Sequence, residues 1–242
     1  MSASRTLLTA TAVVFLLPFT SCSDDNNRSS APRTSFFGTY ADQAGNAGTV
    51  ELVDVSPPPS FGSVMGQDEG TALDGELRIG GQTAIPLRGI FNSPSGTIAF
   101  ASDDSTFNFN GAVAAGQGTG FGFGPGGPAT FVIFQGGTPN SVDVFCGTVT
   151  CTSPPGCEAE GGFNLVVDGG EALTTARVDG AVGVGAGTVT GSDVSLEVAQ
   201  VDVTVQGDIS GTTVSGTWTD ETNDTSGTWT GSTTQCQAAR RP

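Results

Sequence analysis

The chain contains no histidine and no lysine, and its basic residues are eight arginines. Without histidine, Ser-His-Asp and Cys-His catalysis, histidine metal triads and a histidine general base are all excluded. Aspartate and glutamate together number 24, so the formal net charge is −16. A body with this charge repels phosphates, so we expect no nucleic-acid partner. We also expect no catalysis and no cofactor.

Charge of either sign is scarce, because charged residues make up only 13% of the chain, whereas glycine occurs 37 times. Such a composition fits either a disordered chain or a β fold with many turns. The hydrophobic content of 36% and a regular alternation of apolar and polar residues favour the β fold. Beyond the N-terminal segment, no long stretch shows the apolar stripe of a helix.

The N-terminal residues 1–21 have the features of a signal peptide. Arg5 precedes a mostly apolar segment that is too short for a comfortable membrane span. The sequence Phe19-Thr-Ser-Cys22 then follows, and a small residue before this cysteine resembles the lipobox of bacterial lipoproteins. The resemblance implies cleavage before Cys22 and lipidation of that residue. The alternative is an ordinary secretory signal that is cut nearby and leaves Cys22 free.

Residues 22–35 are polar, lack periodicity and include Pro32, which predicts a flexible tether. Together with the lipobox, the tether predicts a protein of the bacterial cell envelope. Its membrane partner would be reached through the N-terminal lipid, outside the cytoplasm, at the outer membrane or the cell surface. The sequence does not specify the oligomeric state.

Four cysteines remain if Cys22 carries a lipid, and an even number in an oxidising compartment indicates two disulfides with three possible pairings. Cys151 and Cys157 enclose a short loop around a Pro-Pro-Gly turn, so we pair these two. Cys146 then pairs with Cys236. A zinc site is the alternative, but tight Cys-x-x-Cys pairs and histidines are both absent, so we expect no metal.

Period-two alternation is clearest from residue 201 to residue 229. We expect a two-residue loop at 211–212 and a second loop at 221–224. These loops place all apolar side chains on one face, and each tryptophan over a glycine of the neighbouring strand. The pairs that face each other are then Val205–Trp218, Gly207–Gly216, Ile209–Val214, Trp218–Gly227 and Gly216–Trp229.

Other segments with strand-like alternation occur throughout the chain, and some recur in its two halves. The strand candidates are Leu73–Ile79, Thr97–Ala101, Thr106–Val113, Ala129–Phe134, Phe163–Val167, Ala176–Val184 and Val194–Val198. The recurring pairs are Phe37–Tyr40 with Phe145–Val149, Gly48–Val53 with Gly162–Val167, and Phe107–Val113 with Val203–Ile209. Recurrence of this kind indicates an internal duplication.

We therefore predict an all-β protein: an antiparallel meander that forms one or two small up-and-down β-barrels. The first β unit is expected at 36–137. The second is expected at 138–238, closed by the disulfide between Cys146 and Cys236. The Gly-Thr-Trp segments at 216–218 and 227–229 resemble those of calycin-type barrels, the group of lipocalins and avidins. That resemblance implies a barrel but assigns no binding residue.

The sequence contains residues that could form three kinds of chemical site: a hydrolytic carboxylate pair, a phosphate loop and a calcium site. The carboxylates Asp68-Glu69, Asp103-Asp104 and Glu158/Glu160 could support glycoside hydrolysis, but they lie among turn residues and are interpreted as solvated. The glycine-rich segments 120–127 and 183–187 have no helix after them, so they are interpreted as strand ends and turns, not phosphate loops. The oxygens of 220–224 could bind calcium, although a hairpin loop needs no ion.

Two functions remain, and they differ in what fills the barrel. The first is a structural or interaction role, with an envelope protein as the partner. The alternative is a carrier of a small apolar ligand, in a lumen lined by aromatic side chains. Phenylalanines at alternating spacing usually belong to the core, but some of the following could line such a lumen: Phe107, Phe109, Phe121, Phe123, Phe131 and Phe134. The ligand-binding residues themselves are not identified.

Overall fold

The computed structural model describes residues 34–55, 70–79, 83–157, 160–178, 181–198 and 202–238, without the side chains of residues 160, 181, 237 and 238. The strands form two closed antiparallel barrels of eight strands each, which confirms the all-β prediction and the duplicated meander. The predicted signal peptide, Cys22 and the tether up to residue 33 lie outside the described residues. The described part of the chain contains no helix with the length and apolarity of a membrane span.

The first barrel is built from eight strands in up-and-down order, and its first strand pairs with its last. The strands are β1 (Ser35–Asp42), β2 (Ala47–Asp54), β3 (Thr71–Ile79), β4 (Ile85–Asn92), β5 (Thr97–Ser102), β6 (Asn108–Ala114), β7 (Gln117–Gly124) and β8 (Gly127–Gln135). Because neighbouring strands in the chain are also neighbours in space, short turns are enough for most connections, and the longest, residues 55–70, joins β2 to β3.

The second barrel repeats this order, and β9 closes it by pairing with both β10 and β16. Its strands are β9 (Asp143–Ser153), β10 (Glu160–Asp168), β11 (Glu171–Val178), β12 (Ala181–Thr190), β13 (Asp193–Val198), β14 (Val203–Ser210), β15 (Thr213–Asp220) and β16 (Thr225–Ser232). A six-residue helix, α1 (Thr233–Ala238), follows the last strand.

The recurring sequence segments occupy equivalent strands of the two barrels. The segment at Phe37 lies in β1 and its counterpart at Phe145 lies in β9, the strand that opens each barrel. The second pair lies in β2 and β10, and the third in and just before β6 and in β14. The sequence similarity therefore follows the order of the strands, as a duplicated meander requires.

The predicted register of the last three strands is confirmed. Val205 pairs with Trp218, Gly207 with Gly216 and Ile209 with Val214 across the loop at 211–212. Trp218 then pairs with Gly227, and Trp229 with Gly216, across the loop at 221–224. The alternation fixes this register because a slip of one residue would turn every apolar side chain outward.

Two strand predictions in β11 and β12 are wrong. The segment Ala176–Val184 is not one strand, because β11 ends at Val178 and β12 begins at Ala181, which pairs back with Val178. The glycine-rich segment 183–187 lies within β12 and is not a strand end or a turn. Its glycines fit close packing: a Cβ on Gly187 would lie 2.8 Å from the Cα of Leu196 on the adjacent strand.

The first barrel is filled by aromatic rings. Tyr40, Phe109 and Phe131 are fully buried in its core. The rings of Phe100 and Phe109 have centroids 5.1 Å apart, and those of Phe100 and Phe131 are 4.9 Å apart. Ring pairs at these distances pack edge to face or stacked, so they leave little space at the barrel axis.

The two barrels contact each other through outward-facing side chains. Phe37 of β1 and Phe134 of β8 lie in one buried cluster with Val166 of β10 and Leu173 of β11. Within the same contact, the side-chain amide of Asn164 donates a hydrogen bond to the backbone carbonyl of Tyr40, with a nitrogen–oxygen distance of 3.1 Å. Burial of apolar side chains from both barrels therefore holds the two units together.

Candidate functional site

The second barrel contains a cavity of about 450 Å³, in contrast to the filled first barrel. Its wall consists mainly of aliphatic and aromatic side chains. The apolar members of the wall are Val149, Phe163, Leu165, Ala176, Val178, Val182, Leu196, Val198, Val203, Val205, Trp218 and Trp229. This volume lies in the range of about 300–1,000 Å³ that is typical of small-molecule sites.

The cavity occupies one end of the barrel, here called the open end. Its lining residues flank the connections β11–β12, β13–β14 and β15–β16, as Val178, Val203 and Asp220 do. At the opposite end, tight two-residue turns join β10 to β11, β12 to β13 and β14 to β15. Phe145 and Val194, near the first residues of β9 and β13, belong to the buried apolar core at that opposite end.

The two tryptophans form apolar walls of the cavity, because their indole N–H groups are already bonded. The Nε1 of Trp218 donates to the carbonyl of Thr150 at 3.3 Å. The Nε1 of Trp229 donates to the carbonyls of Gln206 at 3.1 Å and Thr217 at 3.3 Å. A buried indole with a satisfied N–H presents only its ring, so both residues offer stacking surface to a ligand.

Asp220 is the charged residue in the cavity wall, where it is only 9% exposed. It is the last residue of β15 and lies on the same face of the strand as Trp218. Its Oδ1 accepts a hydrogen bond from the backbone N–H of Asn223 at 3.0 Å, and its Oδ2 accepts one from the Asn223 side chain at 2.8 Å. The Asn223 side chain lowers the pKa of Asp220, so this carboxyl is ionised at neutral pH.

The phenylalanines that suggested an aromatic lumen are distributed over three environments. Phe107, Phe109 and Phe131 lie in the core of the first barrel, where they fill it. Phe121 and Phe123 lie on its outer wall, 51% and 64% exposed, and Phe134 lies in the contact between the barrels. None of the six belongs to the wall of the cavity, which lies in the other barrel, so the expectation that some of them line a ligand lumen is wrong.

The carboxylate pairs do not form a hydrolytic site among the residues that the structure describes. Asp103 and Asp104 lie in the turn between β5 and β6, where Asp103 is 3.5 Å from the Nε of Arg88. Asp104 accepts hydrogen bonds from the Ser102 hydroxyl at 2.6 Å and the Thr106 N–H at 3.0 Å. These bonds organise the turn and lower the pKa of Asp104. Asp68, Glu69, Glu158 and the side chain of Glu160 lie outside the described residues.

The loop at 221–224 provides hydrogen-bond donors to the carboxylate of Asp220 and needs no ion for this. Asn223 donates one hydrogen bond to each oxygen of Asp220, which is sufficient to hold the turn. Within the described ranges, no group of three or more acidic, cysteine or histidine side chains is suited to a metal.

The structure joins Cys146 to Cys236 and Cys151 to Cys157, with Cα–Cα distances of 4.8 and 5.9 Å. The first bridge connects β9 to α1, which directly follows β16, the strand paired with β9. The second holds the end of β9 and the turn that follows it, at the end of the barrel where the cavity lies. Both distances fit ordinary disulfide geometry.

A second cleft, of about 470 Å³, lies between the barrels and has a more polar wall. Its wall includes Glu51, Glu76, Arg78 and the Cys146–Cys236 bridge. Arg78 is paired with Glu76, and the arginine side chain is 57% exposed. This cleft is a groove between two packed units, whereas the barrel cavity is bounded by apolar side chains, so we consider the cavity the stronger candidate.

The sequence did not reveal the residues that line the cavity. They are mostly valines of ordinary strand alternation, which look the same whether a barrel interior is filled or hollow. One signal was available: in the recurring segments 107–113 and 203–209, Val203 and Val205 stand where the first half has Phe107 and Phe109. Comparison with protein-family models and with curated proteins gives no match to this chain, so its function must be inferred from this geometry.

Proposed function

We propose that the protein is an exported, lipid-anchored envelope protein whose second barrel carries a small apolar ligand. The observation that carries the ligand-binding part is the cavity of about 450 Å³ with its apolar wall. An apolar molecule that enters such a cavity leaves water and gains contact with the aromatic rings, which drives binding.

Export and anchoring are supported by the sequence and by the cysteines. The lipobox-like segment before Cys22 predicts transfer across a membrane and acylation. Two disulfides, Cys146–Cys236 and Cys151–Cys157, fit an oxidising compartment. Mass spectrometry of the protein from its native host tests this part: a mature chain that begins at an acylated Cys22 is expected, and an unprocessed chain would contradict it.

The first barrel has a structural role in this proposal and binds no ligand in its interior. Its interior is filled by rings, so it is a structural unit that packs against the carrier barrel. Phe121 and Phe123 are exposed on its outer wall, which favours an interaction role with an envelope protein as the second candidate function. If the second barrel binds no apolar molecule, that interaction role is what remains.

A cavity-filling variant tests the carrier function directly. Val205 lines the cavity and pairs with Trp218, so the change Val205→Phe should occupy the space that a ligand uses. The neutral fluorophore N-phenyl-1-naphthylamine serves as the probe, and tryptophan emission reports its approach to the two indoles. We expect saturable binding to the wild type and an affinity at least about tenfold lower for the variant. A change of one methylene group in an apolar pocket already alters the binding free energy by about 1–3 kcal/mol.

The matched control is Thr204→Phe, which places the same ring on the outward face of the same strand. This variant should bind the probe as the wild type does. Equal binding by wild type and Val205→Phe would contradict the carrier function, and so would the absence of saturable binding to the wild type.

A further inference from the structure

Asp220 gives the cavity a charge preference. The carboxylate lies in the cavity wall, 9% exposed, and no arginine belongs to that wall in the described residues. Arg177 of the neighbouring β11 has its guanidinium against the Gly45 loop of the first barrel, where a Cβ on Gly45 would lie 3.1 Å from it. The cavity therefore carries a negative charge without a basic partner in its described wall.

Other acidic residues surround the same end of the barrel. Glu221 and Asp224 belong to the loop that follows β15, and Asp202 directly precedes β14. The Thr222 hydroxyl donates to the Oδ2 of Asp202 at 3.5 Å, so Asp202 lies beside this loop. The whole chain has a formal net charge of −16. An anionic ligand would meet like charge at the entrance and at the wall, whereas a cation would be attracted.

The carboxylate of Asp220 has acceptor capacity left for a ligand. An ionised carboxylate offers about four acceptor positions, of which Asn223 uses one on each oxygen and the backbone N–H of Thr222 uses a third. Trp218 lies two positions earlier on the same face of β15, about 7 Å along the strand, and its ring belongs to the same wall. A carboxylate beside an indole face is a combination that holds organic cations.

We propose that the ligand is an amine: a small apolar body that carries one protonated ammonium group, bound at Asp220 and beside the ring of Trp218. This inference rests on the carrier function proposed above and specifies its ligand class. The apolar body occupies the valine-lined interior, and the ammonium group stays at the open end, where it keeps part of its hydration. Fatty acids and other anionic amphiphiles are excluded by the same charges.

Three probes of equal chain length test the proposal at pH 7: octylamine, octanol and octanoate, each in competition with N-phenyl-1-naphthylamine. We expect octylamine to displace the probe at a concentration at least about tenfold lower than octanol, because its ammonium group adds a charge-assisted hydrogen bond to the carboxylate. Octanoate should be the weakest competitor. Asp220→Asn should bring octylamine and octanol to within about threefold of each other.

The control for overall charge is Glu197→Gln. Glu197 is exposed on the outer face of β13, next to Val198 of the cavity wall, so this change removes one negative charge from the same end of the barrel. It should leave the preference for octylamine unchanged. Thermal unfolding of both variants establishes that they are folded. The ratio of the octylamine and octanol concentrations that displace the probe from the wild type tests the proposal independently of the variants.

The outcomes separate the two levels of inference. Displacement by all three molecules at equal concentrations would overturn the amine proposal and leave the carrier function standing. A preference for octanol or octanoate, or an equal loss of preference in Glu197→Gln and Asp220→Asn, would also overturn it. Failure of the neutral probe itself to bind would instead overturn the carrier function.

Discussion

The indole of Trp229 lies over Gly216, its partner on the neighbouring strand of the second barrel. A Cβ on Gly216 would lie 2.7 Å from the Nε1 of Trp229 and 2.5 Å from the Cα of Gly207. The absence of a side chain thus lets the large ring lie flat against the sheet, where its N–H reaches the carbonyls of Gln206 and Thr217. Trp218 has the same relationship to Gly227, whose added Cβ would lie 2.6 Å from its Nε1.

An added Cβ on Gly216 would also overlap the backbone carbonyl oxygen of Gln206. These contacts together predict that Gly216→Ala lowers the free energy of unfolding by about 2 kcal/mol or more, since forced overpacking typically costs 1–3 kcal/mol. Urea unfolding followed by tryptophan emission measures the change. The matched control is Gly162→Ala in β10, where the nearest atom to an added Cβ is 3.5 Å away. Equal losses for the two alanine variants would contradict the close packing of Gly216 against its neighbours.

The two disulfides are expected to differ in their contribution to stability. Cys146 and Cys236 are 90 residues apart in sequence, whereas Cys151 and Cys157 are six apart. In the loop-entropy model, the longer bridge stabilises by about 4–5 kcal/mol and the shorter by about 2 kcal/mol. The double variants Cys146→Ser/Cys236→Ser and Cys151→Ser/Cys157→Ser, compared by urea unfolding, measure this difference. A larger loss from removing the short bridge would contradict it.

The filled core of the first barrel predicts a strong dependence on its rings. Phe109 is fully buried against Phe100 and Phe131, so Phe109→Ala should lower the free energy of unfolding by about 3–5 kcal/mol. Phe123 is 64% exposed in the adjacent strand, and Phe123→Ala should change stability by less than about 0.5 kcal/mol. Thermal and urea unfolding of both variants measure the two changes in stability. Similar losses for Phe109→Ala and Phe123→Ala would contradict the view that only the buried ring supports the core.

The hydrogen bonds to Asp220 predict an acid-dependent loss of stability. Its pKa in the folded state is below the ordinary value of 3.8, because Asn223 donates to the carboxylate. The ionised group therefore stabilises the fold above about pH 4, and this contribution is lost as the pH falls through the lower folded-state value. We expect the difference in unfolding free energy between wild type and Asp220→Asn to be larger at pH 7 than at pH 3.

Urea unfolding at pH 7, 5 and 3 measures this difference. Glu197→Gln, which removes an outward-facing carboxylate near the same end of the barrel, is the comparison for a general loss of charge. A difference between wild type and Asp220→Asn that stays constant over this pH range would contradict the assignment.

Strand order and register could be predicted from the second half of the sequence because alternation there is unambiguous. Between Val203 and Trp229, apolar residues and glycines share one face and polar residues the other, so only one register buries the apolar face. The recurring segments then transfer the same strand order to the first half. Local periodicity and loop length are sufficient for this part of the fold.

The facing of β7 could not be predicted in the same way. Its sequence Phe121-Gly-Phe123 alternates two phenylalanines with glycine, and the apolar rings are expected to face inward. In the structure the glycines face inward instead, because rings of other strands already occupy the interior: a Cβ on Gly120, on the same face, would overlap the ring of Phe131. Which face is buried thus depends on side chains from distant strands.

The cavity escaped prediction for the same reason. The cavity volume depends on how far the side chains of several strands together reach toward the barrel axis. No local sequence pattern specifies this combined packing. Val203, Val205 and Val198 are typical of a filled strand face, yet in this barrel they line the cavity. Asp220 could be predicted as the start of a turn, but its position in the cavity wall required the closed barrel.

Closure of both barrels also limits how this protein meets other molecules. Every strand that the structure describes is hydrogen-bonded to a neighbour on each side. None of them presents a free row of N–H and C=O groups onto which a peptide or another chain could extend the sheet. Recognition must therefore use side chains of the outer walls, the loops or the hollow interior, and these barrels provide no template for the edge-to-edge growth that leads to fibrils.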